Sequence, residues 1–340
     1  MSGIDPPETA TPPAGDRPNS TRGQIGRFWR DLRDAVAVAV VGEEPAIRLL
    51  AVALLADGHA LIEDVPGVGK TLVARAFAQS LGLSFGRVQG TPDLLPTDVT
   101  GSSILEAGRL RFLPGPVFAN VVLVDEINRA TPRTQSALLE AMQERQVSVE
   151  GETRPLPAPF LVVATQNPIE LEGTFSLPEA QLDRFLVRVT MGYPSRDDER
   201  RIARRYRGGD EPLGLIKPIV DRDTLLALSR AVGEIAVSDA VEGYVVDLVR
   251  ATREHSDLRL GASPRTSVAL FRASQAWAAL EGRGFVLPDD VAAVVRPVLG
   301  HRLLLDVDRQ LRGATVERVL SNVLGSVPVP VPAPVPALDR

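Results

Sequence analysis

Cysteine is missing from this sequence of 340 residues, and histidine occurs only three times. The absence of cysteine excludes disulfide bonds and thiolate ligands for metal ions. Because the three histidines are scattered along the chain, we expect no metal site built from protein ligands alone. A chain without cysteine suits a reducing compartment, so we expect a cytoplasmic protein.

Long uncharged apolar runs are missing too. The nearest candidate, Leu49–Ile62, is short and is interrupted by Asp57 and His59, so we expect no membrane insertion. The amino-terminal residues have no apolar core of the kind found in secretory signals. A net charge of −5 and an isoelectric point near 5.5 argue against nucleic acid as the main partner and leave room only for a local basic groove.

Lysine is nearly absent, and the place of one lysine is informative. The chain has 38 basic residues, yet only Lys70 and Lys217 are lysines. Lys70 lies near the end of Leu61–Thr71, LIEDVPGVGKT, where a short apolar run meets a turn rich in Pro and Gly. A helix-forming segment follows from Leu72 to Ser80. The order of strand, glycine-rich loop and helix is typical of a loop that binds phosphate groups.

The chemistry of this loop favours a nucleoside triphosphate. Its glycines let backbone N–H groups point at phosphate oxygens, the new helix adds its N-terminal dipole, and Lys70 adds a compact cation. Thr71 offers a hydroxyl to Mg²⁺. One position departs from the pattern, because Asp64 stands five residues before Gly69, where a P-loop has glycine. The alternative is an ordinary turn with a surface lysine, and the downstream motifs disfavour it.

A second motif joins an apolar run to two acids. Val121–Val124 is wholly apolar, and Asp125 and Glu126 follow it. A buried parallel strand would carry both carboxylates to its carboxyl end, beside the phosphate loop. We expect Asp125 to hold Mg²⁺ through its water shell and Glu126 to orient and polarise the attacking water. Alone, such a run also suits a strand followed by a solvated acidic turn. Its place downstream of the phosphate loop favours the catalytic interpretation.

Three further polar residues are candidates for contacts near the γ-phosphate. Asn167 follows the apolar run Phe160–Ala164 and would hold the attacking water, or it is a turn residue at a strand end. Arg184 is a candidate arginine finger, which reaches a phosphate from the next subunit, or it pairs locally with Asp183. Arg265 lies in the first turn of a predicted helix and would reach the nucleotide from a helical lid, or it is a surface arginine.

Between two tails the chain changes character once. Residues 1–22 and 327–340 are rich in proline, and we predict that both are disordered. Residues 23–194 alternate strand-length apolar runs with helical segments, whereas residues 195–326 are almost wholly helical. The predicted fold class is an α/β core with a parallel sheet, followed by an all-helical domain. The candidate strands are Ala60–Ile62, Ser84–Val88, Val121–Val124, Leu161–Ala164 and Phe185–Val189.

Together these motifs resemble the AAA+ ATPases, and specifically the MoxR branch of their helix-2-insert clade. The resemblance covers residues 24–305 and implies an α/β P-loop NTPase core with a C-terminal helical lid. The strings that carry it are EDVPGVGKT (63–71), QGTPDLLPTDVTG (89–101), GPVFANVVLVDEINRATPRTQSALLEAMQE (115–144), ATQNP (164–168), LPEAQLDRF (177–185) and GASPRTS (261–267).

The resemblance implies a role for each candidate residue. Asn167 corresponds to sensor 1, Arg184 to the arginine finger that acts in trans, and Arg265 to sensor 2. Val41 and Gly42 match the segment that packs on adenine. The Walker A residues expected at ATP are Pro66, Gly67, Val68, Gly69, Lys70, Thr71 and Leu72, and the Walker B residues are Asp125 and Glu126, with Thr71 and Asp125 at Mg²⁺.

Two insertions also follow from the resemblance. Thr100–Phe112 occupies the place of the helix-2 insert. Gln146–Pro157, with a turn at Glu150 and Gly151, corresponds to the pre-sensor hairpin. Both would project into the centre of a ring, and Arg129 would face a neighbouring subunit.

The implied function is ATP hydrolysis by a homo-oligomeric ring, typically a hexamer, that remodels a protein client, commonly with a von Willebrand factor A-domain partner. Two alternatives stay open. A nucleic-acid motor is disfavoured because the pre-sensor hairpin has only one basic residue, Arg154, against the acidic Glu150 and Glu152. It also has no aromatic residues on which bases could stack. A scaffold that binds ATP without hydrolysing it is disfavoured by Glu126 and Asn167, together with the two candidate arginines.

Overall fold

The computed structural model describes residues 21–65, 67–106, 109–167, 174–205 and 212–330. The predicted amino-terminal tail lies outside these ranges except for residues 21 and 22, which belong to the first helix. The predicted carboxyl-terminal tail is described only up to residue 330, and Pro66 of the phosphate loop lies outside the described residues. The disorder of the tails and the role of Pro66 stay predictions.

Five parallel strands form the central sheet, in the order β2-β5-β8-β1-β9. Each of the five strands overlaps a strand that the sequence predicted, and the parallel α/β core is confirmed. The last strand begins later than expected: the N–H of Phe185 donates to the Leu182 carbonyl oxygen in the preceding turn, and the strand starts at Val187. The strands are β1 (Ala60–Glu63), β2 (Phe85–Gln89), β5 (Val121–Asp125), β8 (Leu161–Gln166) and β9 (Val187–Val189).

The central strand β5 explains why its sequence is apolar without alternation. Each of its residues is buried, because helices or hairpins cover both faces of the sheet. Val121 and Leu123 face one apolar cluster with the first helices and the C-terminal helices. Val122 and Val124 face the other cluster, which contains Leu138.

The parallel arrangement gives the sheet two chemically different edges. Every strand ends at the carboxyl edge and begins at the amino edge. Strands of this length separate the two edges by about 10–20 Å, at about 3.3 Å per residue. Loops that follow strands therefore collect at one edge, and loops that precede strands collect at the other.

Helices pack on the sheet, and further helices form the C-terminal part of the chain. The chain after β9 is almost wholly helical, as predicted, apart from a short pair of strands, β10 (Leu258–Leu260) and β11 (Leu304–Leu305). None of the helices in the described ranges has both the length and the apolar character that a bilayer span requires. The helices are α1 (Thr21–Ala37), α2 (Glu44–Leu55), α3 (Lys70–Ser80), α4 (Pro96–Thr100), α5 (Pro132–Glu144), α6 (Glu179–Leu182), α7 (Arg196–Arg205), α8 (Arg222–Val232), α9 (Asp239–Glu254), α10 (Pro264–Leu280), α11 (Pro288–Leu299), α12 (Val307–Leu311) and α13 (Val316–Ser326).

Two antiparallel hairpins are inserted at the places that the sequence predicted. The first pairs β3 (Gly101–Glu106) with β4 (Arg109–Pro114), and so extends slightly beyond the expected end. The second pairs β6 (Gln146–Val149) with β7 (Glu152–Pro155). Its turn residues Glu150 and Gly151 have φ of 54° and 81°, which suits the right-handed twist of a hairpin.

Candidate functional site

The phosphate loop connects β1 to α3, at the carboxyl edge of the sheet. Gly67 and Gly69 have φ of 87° and 88°, a left-handed backbone that glycine adopts without steric cost. Gly69 is also the N-cap of α3, and Lys70 is its first residue. The loop therefore directs the first N–H groups of a helix, and its positive dipole end, at one point where an anion can bind.

Asp64, which departs from the P-loop pattern, has a structural role. Its side chain is buried and accepts the N–H groups of Val65 at 2.7 Å, Met191 at 2.6 Å and Gly192 at 2.5 Å. The carbonyl oxygen of Asp64 accepts Lys70 Nζ at 2.6 Å. The carboxylate thus fastens the start of the loop to the segment after β9. The sequence carried no signal for the contacts with Met191 and Gly192, because these two donors lie far along the chain.

The two acids stand beside the loop, as the strand order requires. Asp125 ends β5, and its Oδ2 accepts the Thr71 hydroxyl at 3.4 Å. Glu126 follows in the left-handed region, with φ of 54°, and its N–H donates to Thr165 Oγ1 at 2.9 Å. Burial lowers the pKa of Lys70, while the carboxylates of Asp64, Asp125 and Glu126 act in the opposite direction and favour the ammonium.

A single cavity of about 440 Å³ gathers the phosphate-binding candidates. Asn167, placed by the end of β8, lies in its lining with the two acids. A neighbouring cavity of about 420 Å³ is lined largely by apolar groups, including Val41, Val68 and Leu72, and suits a purine base. Gly42, with φ of 84°, forms the turn after Val41. The predicted residues that line the first cavity are Gly67, Gly69, Lys70, Thr71, Leu72, Asp125, Glu126 and Asn167.

The donor set at this edge fits Mg²⁺. Among the described residues, no group of three or more acidic or histidine side chains could cage a metal ion. The edge offers instead one hydroxyl, from Thr71, and one buried carboxylate, from Asp125. Mg²⁺ is the ion that suits such a sparse set, because it keeps several waters and takes further oxygen ligands from phosphate groups.

Two arginines donate to the two acids. Arg87 on β2, which the sequence analysis missed, donates its Nε to Asp125 Oδ2 at 2.8 Å. Arg129, which was expected to face a neighbouring subunit, donates its Nη1 to Glu126 Oε2 at 3.0 Å. Gln89 Nε2 lies 3.3 Å from the same oxygen. Only the pairing of β2 with β5 reveals Arg87, since the two strands are separated in sequence by the first hairpin.

Arg184 and Arg265 lie together at the opposite edge of the sheet. Arg184 precedes β9, and its Nη1 donates to the Leu139 carbonyl oxygen at 2.7 Å. The two arginines and His59, which precedes β1, line a cavity of about 320 Å³. Neither arginine lines the phosphate cavity of its own chain. Arg265, expected to reach a nucleotide from the lid, thus lines a different cavity from the phosphate cavity of the same subunit.

The local alternative for Arg184 does not describe its contacts. Asp183 pairs with Arg302, whose Nε donates to Asp183 Oδ1 at 2.7 Å. Arg184 instead uses a main-chain acceptor on α5. No motif in the sequence points to Arg302, which lies far downstream of the turn that it contacts.

His59 is a buried neutral side chain at the cavity that Arg184 and Arg265 line. Its Nδ1 accepts the Val162 N–H at 3.0 Å, so the ring proton lies on Nε2, which is 3.0 Å from the Met142 carbonyl oxygen. Burial, together with the nearby Arg145 guanidinium, lowers the pKa of His59 to about 3. The imidazole thus links β8 to the end of α5 without carrying charge.

Comparison with known proteins agrees with this geometry. Residues 59–187 match the family model described as ATPase family associated with various cellular activities (AAA), and residues 250–322 match the AAA lid domain. The chain is 46% identical to Chaperone MoxR1 of Mycobacterium tuberculosis, over 85% of this chain and 78% of that protein. It is 46% identical to YeaC of Bacillus subtilis, over 85% of this chain and 90% of that protein.

The fold is also similar to a solved structure. A crystal structure of a protein from Cytophaga hutchinsonii superposes with a TM-score of 0.86 at 36% identity, and the match covers 92% of this chain and 97% of the other. Protein MoxR of Methylorubrum extorquens is 36% identical over 85% of this chain and 92% of its own length. These relatives span the parallel sheet and the C-terminal helices alike.

Proposed function

Because this chain belongs to the MoxR family of AAA+ ATPases, we propose that it binds and hydrolyses Mg-ATP in a homo-oligomeric ring and uses that cycle to remodel a protein client. The observation that carries the proposal is the single cavity shared by the phosphate loop, both acids and Asn167. Such an arrangement supports phosphoryl transfer to water, which depends on positioning and charge neutralisation rather than on covalent catalysis.

Each residue of the cavity has a task in this proposal. Mg-ATP, when bound, supplies the reacting γ-phosphoryl group and a cation that neutralises its oxygens. Lys70 and the loop N–H groups bind the phosphates, and Thr71 and Asp125 hold the metal and its water shell. Glu126 orients and polarises the attacking water, and Asn167 holds that water from the adjacent strand.

The positions of the two arginines support a ring. The edges of the sheet are separated by about 10–20 Å, so Arg184 and Arg265 have their natural target on another subunit. A head-to-tail contact brings the amino edge of one copy to the carboxyl edge of the next, and repetition of that contact closes a ring. Six subunits, and ATP at each junction, are expected from the family resemblance.

The client is a protein rather than a nucleic acid in this proposal. The first hairpin exposes Leu105 and Leu110, each with 73% of its surface accessible. Arg154 of the second hairpin stacks over the Phe112 ring at 4.1 Å and pairs with Glu152, so it is not presented to a phosphate backbone. A von Willebrand factor A-domain partner and a cytoplasmic setting are proposed from the resemblance and from the absence of cysteine.

Mixed assemblies test the proposal directly. Arg184→Ala should reduce ATP turnover by about 10³–10⁵-fold, the range for loss of an arginine finger, while ATP binding persists. Lys70→Ala should fail to bind ATP but still donate Arg184. Mixing the two inactive variants should restore phosphate release, because some junctions combine an intact pocket with an intact arginine. Failure of the mixture would reject catalysis across subunits, and no phosphate release by the unmodified protein would favour a scaffold.

A further inference from the structure

Arg302 is buried between the C-terminal helices and the turn that carries Arg184. Only 4% of its side chain is exposed. Its guanidinium donates to Asp183 Oδ1 at 2.7 Å, to the Asp183 and Phe185 carbonyl oxygens at 3.2 and 2.6 Å, and to the Leu186 carbonyl oxygen at 3.2 Å. It also donates to the Val298 carbonyl oxygen of α11. Nearly every donor of this fork is therefore directed at one turn of the chain.

The same turn is connected to the helix that carries Arg265. Asp183 Oδ2 accepts the hydroxyl of Ser263 at 3.5 Å, and Ser263 is the N-cap of α10. Arg265 follows two residues later, in the first turn of that helix. One carboxylate thus lies between Arg302 and the start of α10. Arg302 therefore contacts the turn that carries Arg184 and is linked through Asp183 to the helix that carries Arg265, although it does not line the cavity that these two arginines share.

Stability alone does not require an arginine here. Apolar residues of similar volume can replace a buried ion pair with little loss of stability, because the desolvation of two charges offsets much of their attraction. What an apolar side chain cannot do is direct several fixed donors at neighbouring carbonyl groups. A guanidinium does so because its donors lie in one rigid plane. The arrangement is suited to fixing the geometry of the turn.

We propose that Arg302 is a positioning residue, which holds Arg184 and Arg265 in the orientation needed to meet the nucleotide of the next subunit. The inference rests on the proposed function. It adds that the alignment of both arginines depends on the lid through one buried side chain. A displacement of about 1 Å at a reacting centre costs on the order of 100-fold in rate, so a loosened turn would impair turnover without touching the phosphate cavity.

The decisive variant is Arg302→Met in the full chain, which keeps the volume and removes the donors. We expect a fluorescent ATP analogue to bind within about twofold of the unmodified affinity, because the phosphate cavity lies at the other edge. We expect turnover to fall by about 100-fold. Addition of the Lys70→Ala variant should restore turnover at about a quarter of the junctions of an equimolar random ring, those that pair an intact pocket with an intact Arg302.

A matched control comes from the second buried ion pair of the C-terminal helices. Arg283 Nη1 donates to Asp290 Oδ2 at 2.8 Å, and the Asp290 side chain is 2% exposed. Arg283→Met removes a comparable pair that does not contact the 183–186 turn. We expect it to change thermal stability but to leave turnover per assembled subunit unchanged. Arg302→Lys, which keeps the charge but not the fork, should fall between Arg302→Met and the unmodified protein.

Each outcome bears on the inference separately from the proposed function. If Arg184→Ala is rescued by Lys70→Ala but Arg302→Met is not, Arg302 has no specific role in positioning and the inference is rejected. Unchanged turnover of Arg302→Met rejects it as well. If even Arg184→Ala is not rescued, the proposal of catalysis across subunits fails instead. Should Arg302→Met not fold, Asp183→Asn, which removes the charged acceptor, must give the same rescuable defect for the inference to stand.

Discussion

At the scale of single residues, both acids at the carboxyl edge of the sheet form ion pairs with arginines of the same chain. Asp125 accepts Arg87, and Glu126 accepts Arg129. Each acid proposed to serve magnesium or water is thus neutralised by a cation from the same chain. A metal ion that binds at Asp125 must compete with Arg87 for this carboxylate. The Mg²⁺ concentration needed for ATP binding should therefore depend on Arg87.

We expect Arg87→Ala to lower the Mg²⁺ concentration needed for ATP binding. The Arg87 side chain is 51% exposed, so its pair with Asp125 contributes at most about 1 kcal/mol, equivalent to about a fivefold shift. Titration of Mg²⁺ against a fluorescent ATP analogue measures it. Arg111→Ala, which removes an exposed pair with Glu106 on the first hairpin, is the control and should leave the titration unchanged. An increased Mg²⁺ requirement in Arg87→Ala would contradict the interpretation.

Buried histidine predicts the response of stability to acid. The pKa of His59 is lowered to about 3 and that of His301 is also well below its ordinary value, in both cases mainly by burial. Because the folded state binds fewer protons than the unfolded state, the contribution of these rings is complete above pH 6.5 and is lost as the pH falls toward 3. The slope reaches about 1.4 kcal/mol per pH unit for each histidine.

His59→Asn separates the two histidines, since an amide oxygen can accept the Val162 N–H in place of Nδ1. We expect the variant to be less stable at pH 7 and to lose less of its remaining stability between pH 6.5 and pH 4.5. Denaturant unfolding at several pH values measures the slope. An unchanged slope in the variant would show that His59 is not the group that takes up the proton.

At the scale of elements, close packing between the ends of β2 and β5 limits where the backbone of Glu126, the proposed catalytic carboxylate, can lie. The chain after β2 passes Glu126 so closely that a Cβ on Gly90 would lie 2.2 Å from the Glu126 carbonyl oxygen. The Gly90 N–H donates to the Asp125 carbonyl oxygen at 2.7 Å. Glu126 therefore keeps its left-handed backbone in a place where the neighbouring chain leaves no room for a side chain at position 90.

Gly90→Ala should displace Glu126 and slow the chemical step. We expect turnover to fall by about 10–100-fold, with ATP affinity changed much less, because the phosphate loop is untouched. Steady-state turnover and ATP binding measure the two effects. Gly243→Ala, at a helical position with open space around it, is the matched control and should keep normal turnover. Loss of ATP affinity in Gly90→Ala would mean that the phosphate loop has moved too.

The same scale shows why element positions could be predicted and their contacts could not. Val121–Val124 is apolar without alternation, which is sufficient to predict a buried strand. The order β2-β5-β8-β1-β9 brings Arg87 to Asp125, yet no local pattern states which strands are neighbours. Asp64 is similar, because its donors Met191 and Gly192 follow β9, which lies beside β1 in the sheet but far from it along the chain.

At the scale of the whole molecule, the candidate site residues are divided between the two edges of the sheet. Arg184 and Arg265 share a cavity with His59, whereas Lys70 lies in the cavity that contains both acids. In the proposed function, a subunit therefore carries part of a catalytic site at each edge. The proposed ring follows from this division, because only repetition of the chain supplies every edge with its complement.

Dilution should show whether ATP turnover depends on the association of subunits. We expect ATP turnover per subunit to decrease as the protein is diluted below its assembly concentration, because separated subunits lack the arginines of a neighbour. Turnover measured over a dilution series, with subunit association followed by sedimentation, tests this. The Arg184→Ala variant should show a low turnover at every concentration. Constant activity per subunit in fully dissociated unmodified protein would place the complete site within one chain.

The sequence by itself determined the parallel α/β core, the loop at Lys70, the acids at the end of a buried strand and the hairpin with its turn at Glu150 and Gly151, because each depends on residues that are near one another along the chain. The tertiary structure alone decided which arginine meets which acid, why Asp64 replaces a glycine, and that Arg184 and Arg265 lie away from the phosphate cavity of their own chain. The physical reason is that strand order and edge are collective properties of packing, and residues distant along the chain acquire their electrostatic partners only when the sheet has formed.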